Sequence, residues 1–187
     1  MARLLIFLMF VAVVISSSLA LKTCSESPSP RSAITNVDGS ALVALRDGST
    51  MMAARGTVGR DLVDWLAVRE PGSKMFELGG QEFVGRTAEP TAESVGRVSR
   101  LIAMLRANAD VRVMIVGHTD PSGDVAADHA LGFERADRLA RLLREGGVSK
   151  SRISTDSKGA ESPIAPNDSP EGRAKNQRVS LMLSRED

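Results

Sequence analysis

The sequence of 187 residues holds one cysteine, two histidines and no tyrosine. A single thiol closes no disulfide within the chain and, with two histidines, completes no structural zinc cage. Aromatic residues amount to 3%. Phe7 and Phe10 fall in an N-terminal apolar run, so only Trp65, Phe76, Phe83 and Phe133 remain elsewhere. That is too few rings for a platform on which bases or sugars stack. Neither charge sign dominates: 24 Lys+Arg against 23 Asp+Glu leave a formal charge of +1. Nothing in this balance draws the chain to nucleic acid. Gly79-Gly80 and Gly146-Gly147 precede no Lys-Ser/Thr helix start, so neither is a phosphate loop. What is present is ordinary for a globular chain: 42% hydrophobic and 25% charged residues, and length for one domain with an appendage.

Residues 4–21 are uninterruptedly apolar or small, with Arg3 before them and Lys22 after. This pattern predicts either a secretory signal, with Ser18-Leu19-Ala20 near its cleavage site, or a retained membrane anchor over residues 1–21. Cys24 adds a third option, lipid modification, although Lys22 and Thr23 depart from the usual lipoprotein signal. All three options place the remainder outside the cytoplasm, in a cell envelope, and a retained anchor or a lipid keeps it in contact with a membrane through its N-terminus. Residues 22–33, rich in Ser and Pro, are expected to be a linker.

Residues 34–72 read as a small β/α module. Asp38-Gly39 and Asp47-Gly48 are turn signals around a short strand, Ala41–Leu45. Val58, Leu62, Trp65 and Leu66 recur at helical spacing and predict an amphipathic helix over Thr57–Val68, stopped by Glu70-Pro71-Gly72. The module is too small for a core of its own and should pack on the remainder of the chain or on a partner. Residues 73–187 alternate strand and helix. Strands are expected at Met75–Val84, Val111–Val116, Arg152–Asp156 and Val179–Leu183. Helices are expected at Glu93–Asn108, with Val95, Val98, Leu101, Ile102 and Leu105 on one face, and at Val125–Glu145. Ser162–Gly172 reads as a loop. The order predicts an α/β or α+β sandwich, one sheet with helices packed on it.

The turn after Val111–Val116 reads Gly117-His118-Thr119-Asp120-Pro121-Ser122-Gly123-Asp124. A polar turn between a buried strand and a helix is a common place for a ligand, and these are equally ordinary turn residues with Asp124 as a helix cap. In the following helix Leu131, Arg135, Leu139 and Leu142 share one face, which sets a guanidinium within or beside the apolar seam. Such a group keeps its charge and must find an acceptor. Asp120 can pair with it, or both can face a ligand of opposite charges. His118, Asp120 and Ser122 are triad residue types crowded into one turn, which cannot orient base and nucleophile. No separated acid, base or nucleophile and no metal-ligand set is visible, so neither enzymatic activity nor a cofactor is expected.

Gly117-His118-Thr119-Asp120-x-x-Gly123, Leu131, Glu134-Arg135-Ala136, Gly146-Gly147-Val148, Gly159-x-Glu161-x-Pro163 and Asn176-Gln177-Arg178-Val179 together resemble the OmpA-like C-terminal domain. The resemblance covers roughly Met75–Leu183. It implies an α+β fold, βαβαββ, with a mixed sheet and helices on one face. It further implies non-covalent binding of peptidoglycan through the diaminopimelate of the stem peptide. In that family the turn aspartate, here Asp120, takes the diaminopimelate ammonium. The helix arginine, here Arg135, takes the carboxylate. Thr119, Asp128 and Arg178 are expected beside them. The sequence departs from the family pattern at Asp128, at Leu131-Gly132, at Gln177 where a first arginine is usual, and at Gly85-Arg86 after the first strand. An alternative role on the same fold is a periplasmic scaffold with weak or no glycan binding, joined to an envelope protein through its N-terminal module.

Overall fold

The structure is a computed structural model and describes residues 36–37, 40–45, 48–80 and 82–186. The signal or anchor, the linker, Cys24 and the Asp38-Gly39 turn lie outside the described residues. Strands β1 (Asn36–Val37), β2 (Ser40–Ala44) and β3 (Thr50–Ala54) form an antiparallel sheet in the order β1-β2-β3. Helix α1 (Val58–Ala67) comes next, its first turn capped by the Thr57 hydroxyl, which accepts from the Arg60 N–H at 3.3 Å. Its apolar stripe, Leu62, Val63 and Leu66, is buried.

The second sheet contains β4 (Gly72–Gly80), β5 (Arg112–His118), β6 (Ile153–Gly159) and β7 (Arg178–Arg185) in the order β4-β7-β5-β6. Strand β7 runs antiparallel to β4 and β5, while β5 and β6 are parallel, so the sheet is mixed. Helices α2 (Ala92–Ala107) and α3 (Val125–Glu145) supply Val98, Leu101, Met104, Leu105, Ala136, Leu139 and Leu143 to the core. These meet Val113 and Ile115 of β5 and Val179, Leu181 and Leu183 of β7, the alternate residues that share one face of a pleated strand. Strand β5 is interior, as its β-rich run with Val113, Ile115 and Val116 predicts. The fold is thus α+β with the helices on one face.

Several expectations shift. Strand β4 begins at Gly72 and ends at Gly80, because Gly72 already pairs with Arg185. Val95 is not part of the buried stripe of α2; it is 48% exposed, and Ser94, one residue earlier, faces inward instead. The loop over 162–172 runs into a short helix, α4 (Pro170–Asn176), capped by Ser169 with Pro170 in its first turn.

The N-terminal module is tied to this sheet by Arg185. Its guanidinium bonds Asp110 at 2.7 Å and the Leu66 carbonyl at 3.0 Å, and also reaches the Val68 carbonyl. It stacks 5.1 Å from the Trp65 ring, which meets Phe76 edge-on. Helix α3 crosses β5 at backbone contact, through Gly132 and Gly117. This close crossing sets the height of α3 against the end of β5, where the polar turn begins.

Candidate binding site

Strand β5 ends at His118 and hands the chain to Thr119 and Asp120, both buried. The turn is built from its own side chains. Asp124 caps α3 by accepting from the Ala127 N–H at 3.1 Å. Asp128, one turn into the helix, reaches back to accept from the Ser122 N–H at 2.9 Å. Two carboxylates, Asp120 and Asp128, therefore stand together at the mouth of the turn. A cleft of about 230 Å³ lies alongside, lined by Pro121, Gly123, Asp128, His129 and Lys158 among others.

The cation between them comes from elsewhere in the chain. Arg86, in the loop between β4 and α2, donates through Nη1 to a carboxylate oxygen of Asp120 and, at 2.8 Å, to its carbonyl. Its Nη2 reaches Asp128 at 2.6 Å. Burial by itself would raise the Asp128 carboxyl; the bonds from Ser122 and Arg86, with the Arg86 charge, outweigh it and hold this group below its ordinary value.

Arg135 is fully buried and does not pair with Asp120. Its Nε donates to the Thr87 carbonyl at 2.9 Å, and Nη1 to the His118 carbonyl at 2.9 Å. Its Nη2 donates to the Gly85 carbonyl and to Gln177 Oε1, both at 3.0 Å. Four of its five N–H groups are thereby used. The guanidinium also lies 4.9 Å from the Phe83 ring. Burial, then the nearby Arg86 charge, lower its pKa to about 10, against the pull of Asp120 and Glu82. Of the two alternatives open for Arg135, the direct pair with Asp120 is not formed, for a simple reason. Neutral carbonyls encircle Arg135, and Arg86 takes the carboxylates.

Arg178 does not join this set. It alternates with Val179 along β7, so it lies on the opposite sheet face from the helices. There its Nε bonds Glu77 at 2.7 Å and its Nη2 bonds the Ser162 carbonyl at 3.2 Å. Glu77 also accepts from Ser180 Oγ at 2.6 Å, and Ser180 Oγ lies 2.9 Å from His118 Nε2. Burial first, and the Arg178 charge second, depress His118 to about 4. Thr119 sits at the turn as expected; its N–H bonds the Gly159 carbonyl at 2.8 Å, while its buried hydroxyl has no partner among the described residues. Arg86 and Gln177 appear in the sequence only as departures from a family pattern. They are brought to the site from 34 and 42 residues away from Asp120 and Arg135 respectively, a separation no local spacing reveals.

A mixed four-stranded sheet, two long helices on one face, and a carboxylate–guanidinium cluster at the end of the inner parallel strand define the class. The OmpA family pattern matches residues 80–177, just over half of the chain, and the chain belongs to the OmpA family. It is 39% identical over 87 residues to the peptidoglycan-binding protein ArfA of Mycobacterium tuberculosis, a match spanning 46% of this chain and 27% of that relative's length. It is 26% identical over 174 residues to the peptidoglycan-associated lipoprotein of Legionella pneumophila, covering 92% of this chain and 93% of the relative. Among solved structures, the periplasmic domain of Helicobacter pylori MotB superposes with a TM-score of 0.56 at 22% identity, over 82% of this chain and 88% of that one. The last likeness speaks for the fold alone.

Proposed function

We propose that this protein binds peptidoglycan non-covalently through the diaminopimelate of the stem peptide and so holds the cell envelope to the wall. The observation that carries the reading is the convergence of Asp120, Asp128 and Arg135 at the carboxyl end of β5. The free end of diaminopimelate carries an ammonium and a carboxylate. Asp120, with Asp128 beside it, is suited to the ammonium. Arg135 is suited to the carboxylate, which would replace neutral carbonyls with a stronger, charge-assisted pair. Thr119 offers a hydroxyl at the same turn. Using both charges separates a zwitterion from a simple cation or anion. The names of the ArfA and Legionella relatives support this reading, as does family membership. The act is binding, and no step of it calls for catalysis. An N-terminal signal would export the protein to the periplasm, and a retained anchor or a lipid would also keep it at a membrane.

One observation favours a second reading, a scaffold of the envelope with weak glycan binding. Arg86 fills the carboxylate pair, and the Gly85 and Thr87 carbonyls fill Arg135. Sedimentation of the solubilised full chain with purified sacculi, with and without free diaminopimelate, separates the two. Co-sedimentation that free diaminopimelate abolishes is expected. No co-sedimentation at any protein concentration leaves the scaffold.

A further inference from the structure

Three consecutive residues occupy both halves of the site. The Arg86 guanidinium bridges Asp120 and Asp128, and the carbonyls on either side of it, from Gly85 and Thr87, accept from Arg135. A cation on the carboxylates and oxygens on the guanidinium repeat the charge layout of an ammonium beside a carboxylate. We propose that Gly85-Arg86-Thr87 is an internal stand-in for the ligand, and that Arg86 thereby determines selectivity for the intact zwitterion. This deepens the peptidoglycan reading and rests on it.

The selectivity comes from coupling. The loop is knit to itself: the Val84 N–H bonds the Glu89 carbonyl at 2.9 Å, Thr87 Oγ1 donates to the Val84 carbonyl at 2.7 Å, and the Glu89 N–H bonds Thr87 Oγ1 at 3.1 Å. It therefore moves as a unit. A ligand with an ammonium alone must pull Arg86 from the two aspartates, and this lifts Gly85 and Thr87 from Arg135. A buried guanidinium then loses acceptors, which is costly. A ligand that also brings a carboxylate restores them with a charged partner. The loop thus discriminates against stem peptides whose diaminopimelate carboxylate is converted to a carboxamide. The accessibilities agree with these roles. The Arg86 side chain is 36% exposed and open to competition, whereas Arg135 is sealed beneath the loop.

The test is calorimetric titration of the full chain with two synthetic stem tripeptides ending in meso-diaminopimelate. One has the free carboxylate and the other has the carboxamide at that position. Wild type is expected to prefer the free carboxylate by about a hundredfold, and R86A by about tenfold or less, chiefly because the carboxamide form gains affinity. R86Q, which keeps length without charge, serves in the same comparison if R86A melts early. In wild type, the backbone amide resonances of Gly85, Arg86 and Thr87 are expected to shift on adding the free-carboxylate peptide. An unchanged preference in both variants, or binding without movement of those resonances, overturns the selectivity role and leaves peptidoglycan binding standing. Absence of binding by wild type and both variants overturns both.

Discussion

A Cβ placed on Gly117 would lie 1.8 Å from the carbonyl oxygen of Gly132. Strand β5 and helix α3 therefore touch through bare backbone at the level where the turn leaves the sheet. No side chain can give way, since the obstacle is itself backbone. Gly117→Ala is expected to destabilise the fold by about 1–3 kcal/mol through overpacking. Gly132→Ala should do likewise, its Cβ meeting Ser157 Oγ at 2.3 Å and the Gly117 oxygen at 2.9 Å. Denaturant melts of both variants check this; wild-type midpoints would mean that the two elements cross with room to spare.

Arg135→Ala and Asp120→Ala are expected to differ in kind. Arg135 spends four N–H groups on three carbonyls and Gln177, and stacks on Phe83. Its loss should cost at least about 3 kcal/mol of stability before any question of binding arises. Asp120 lies at the mouth of the turn and bonds Arg86. Its loss should lower melting less than that of Arg135, because Arg86 keeps its bond to Asp128, and weaken sacculus binding by about tenfold to a hundredfold. Thermal melts run beside pull-downs distinguish the two effects. Equal melting with equal binding for both variants would end the assignment of this pair.

Two buried groups should give stability a double dependence on pH. Burial raises Glu82 to about 8, against the bond from the Val179 N–H. Its folded pKa exceeds its unfolded value, so the folded state holds the extra proton, and stability falls as pH rises from the ordinary carboxyl range toward 8. Burial lowers His118 to about 4, so the unfolded state holds the extra proton there. Stability from this residue is therefore lost as pH falls from the ordinary histidine range toward 4. Each slope is limited to about 1.4 kcal/mol per pH unit. Glu82→Gln is expected to flatten the upper limb and His118→Gln the lower one, as read from midpoints of urea unfolding between these limits. An upper limb that survives in Glu82→Gln would assign it elsewhere.

Arg178→Met should lower stability and spare binding. The arginine is buried and pairs with the partly exposed Glu77 on the sheet face opposite the helices, and its removal leaves Glu77 without its cation. Breaking such a pair costs up to about 3–5 kcal/mol when fully buried, and less here because Glu77 is partly exposed. Sacculus pull-down at a temperature where the variant stays folded is expected to match wild type. A loss of binding there would return Arg178 to the site.

Helix α3 could be bounded from the residues alone, because Asp124 supplies a cap, helical spacing persists from Leu131 through Arg135 to Leu139 and Leu142, and Gly146-Gly147 ends it. Strand β5 announced itself by its β-rich run, and the turn it feeds by its Asp, Pro, Ser and Gly residues. Helix α4 was hidden by a composition of Pro, Asn and Gly that equally suits a loop. Its placement rests on Asn176, whose side chain bonds the Ile164 and Ala165 N–H groups at 2.8 and 3.0 Å. Asp120 and Arg135 stood out because each is tied to a local pattern, one to a strand–helix turn and the other to an apolar helix face. What each of them touches was decided only by the tertiary structure. Arg86, Gly85 and Gln177 reach the site across long stretches of chain, and their contacts depend on how the β4–α2 loop and the start of β7 converge on α3. Periodicity reports which side of an element is buried. It carries no information about which distant carbonyl or guanidinium meets that side, because that is set by the packing of whole elements against one another.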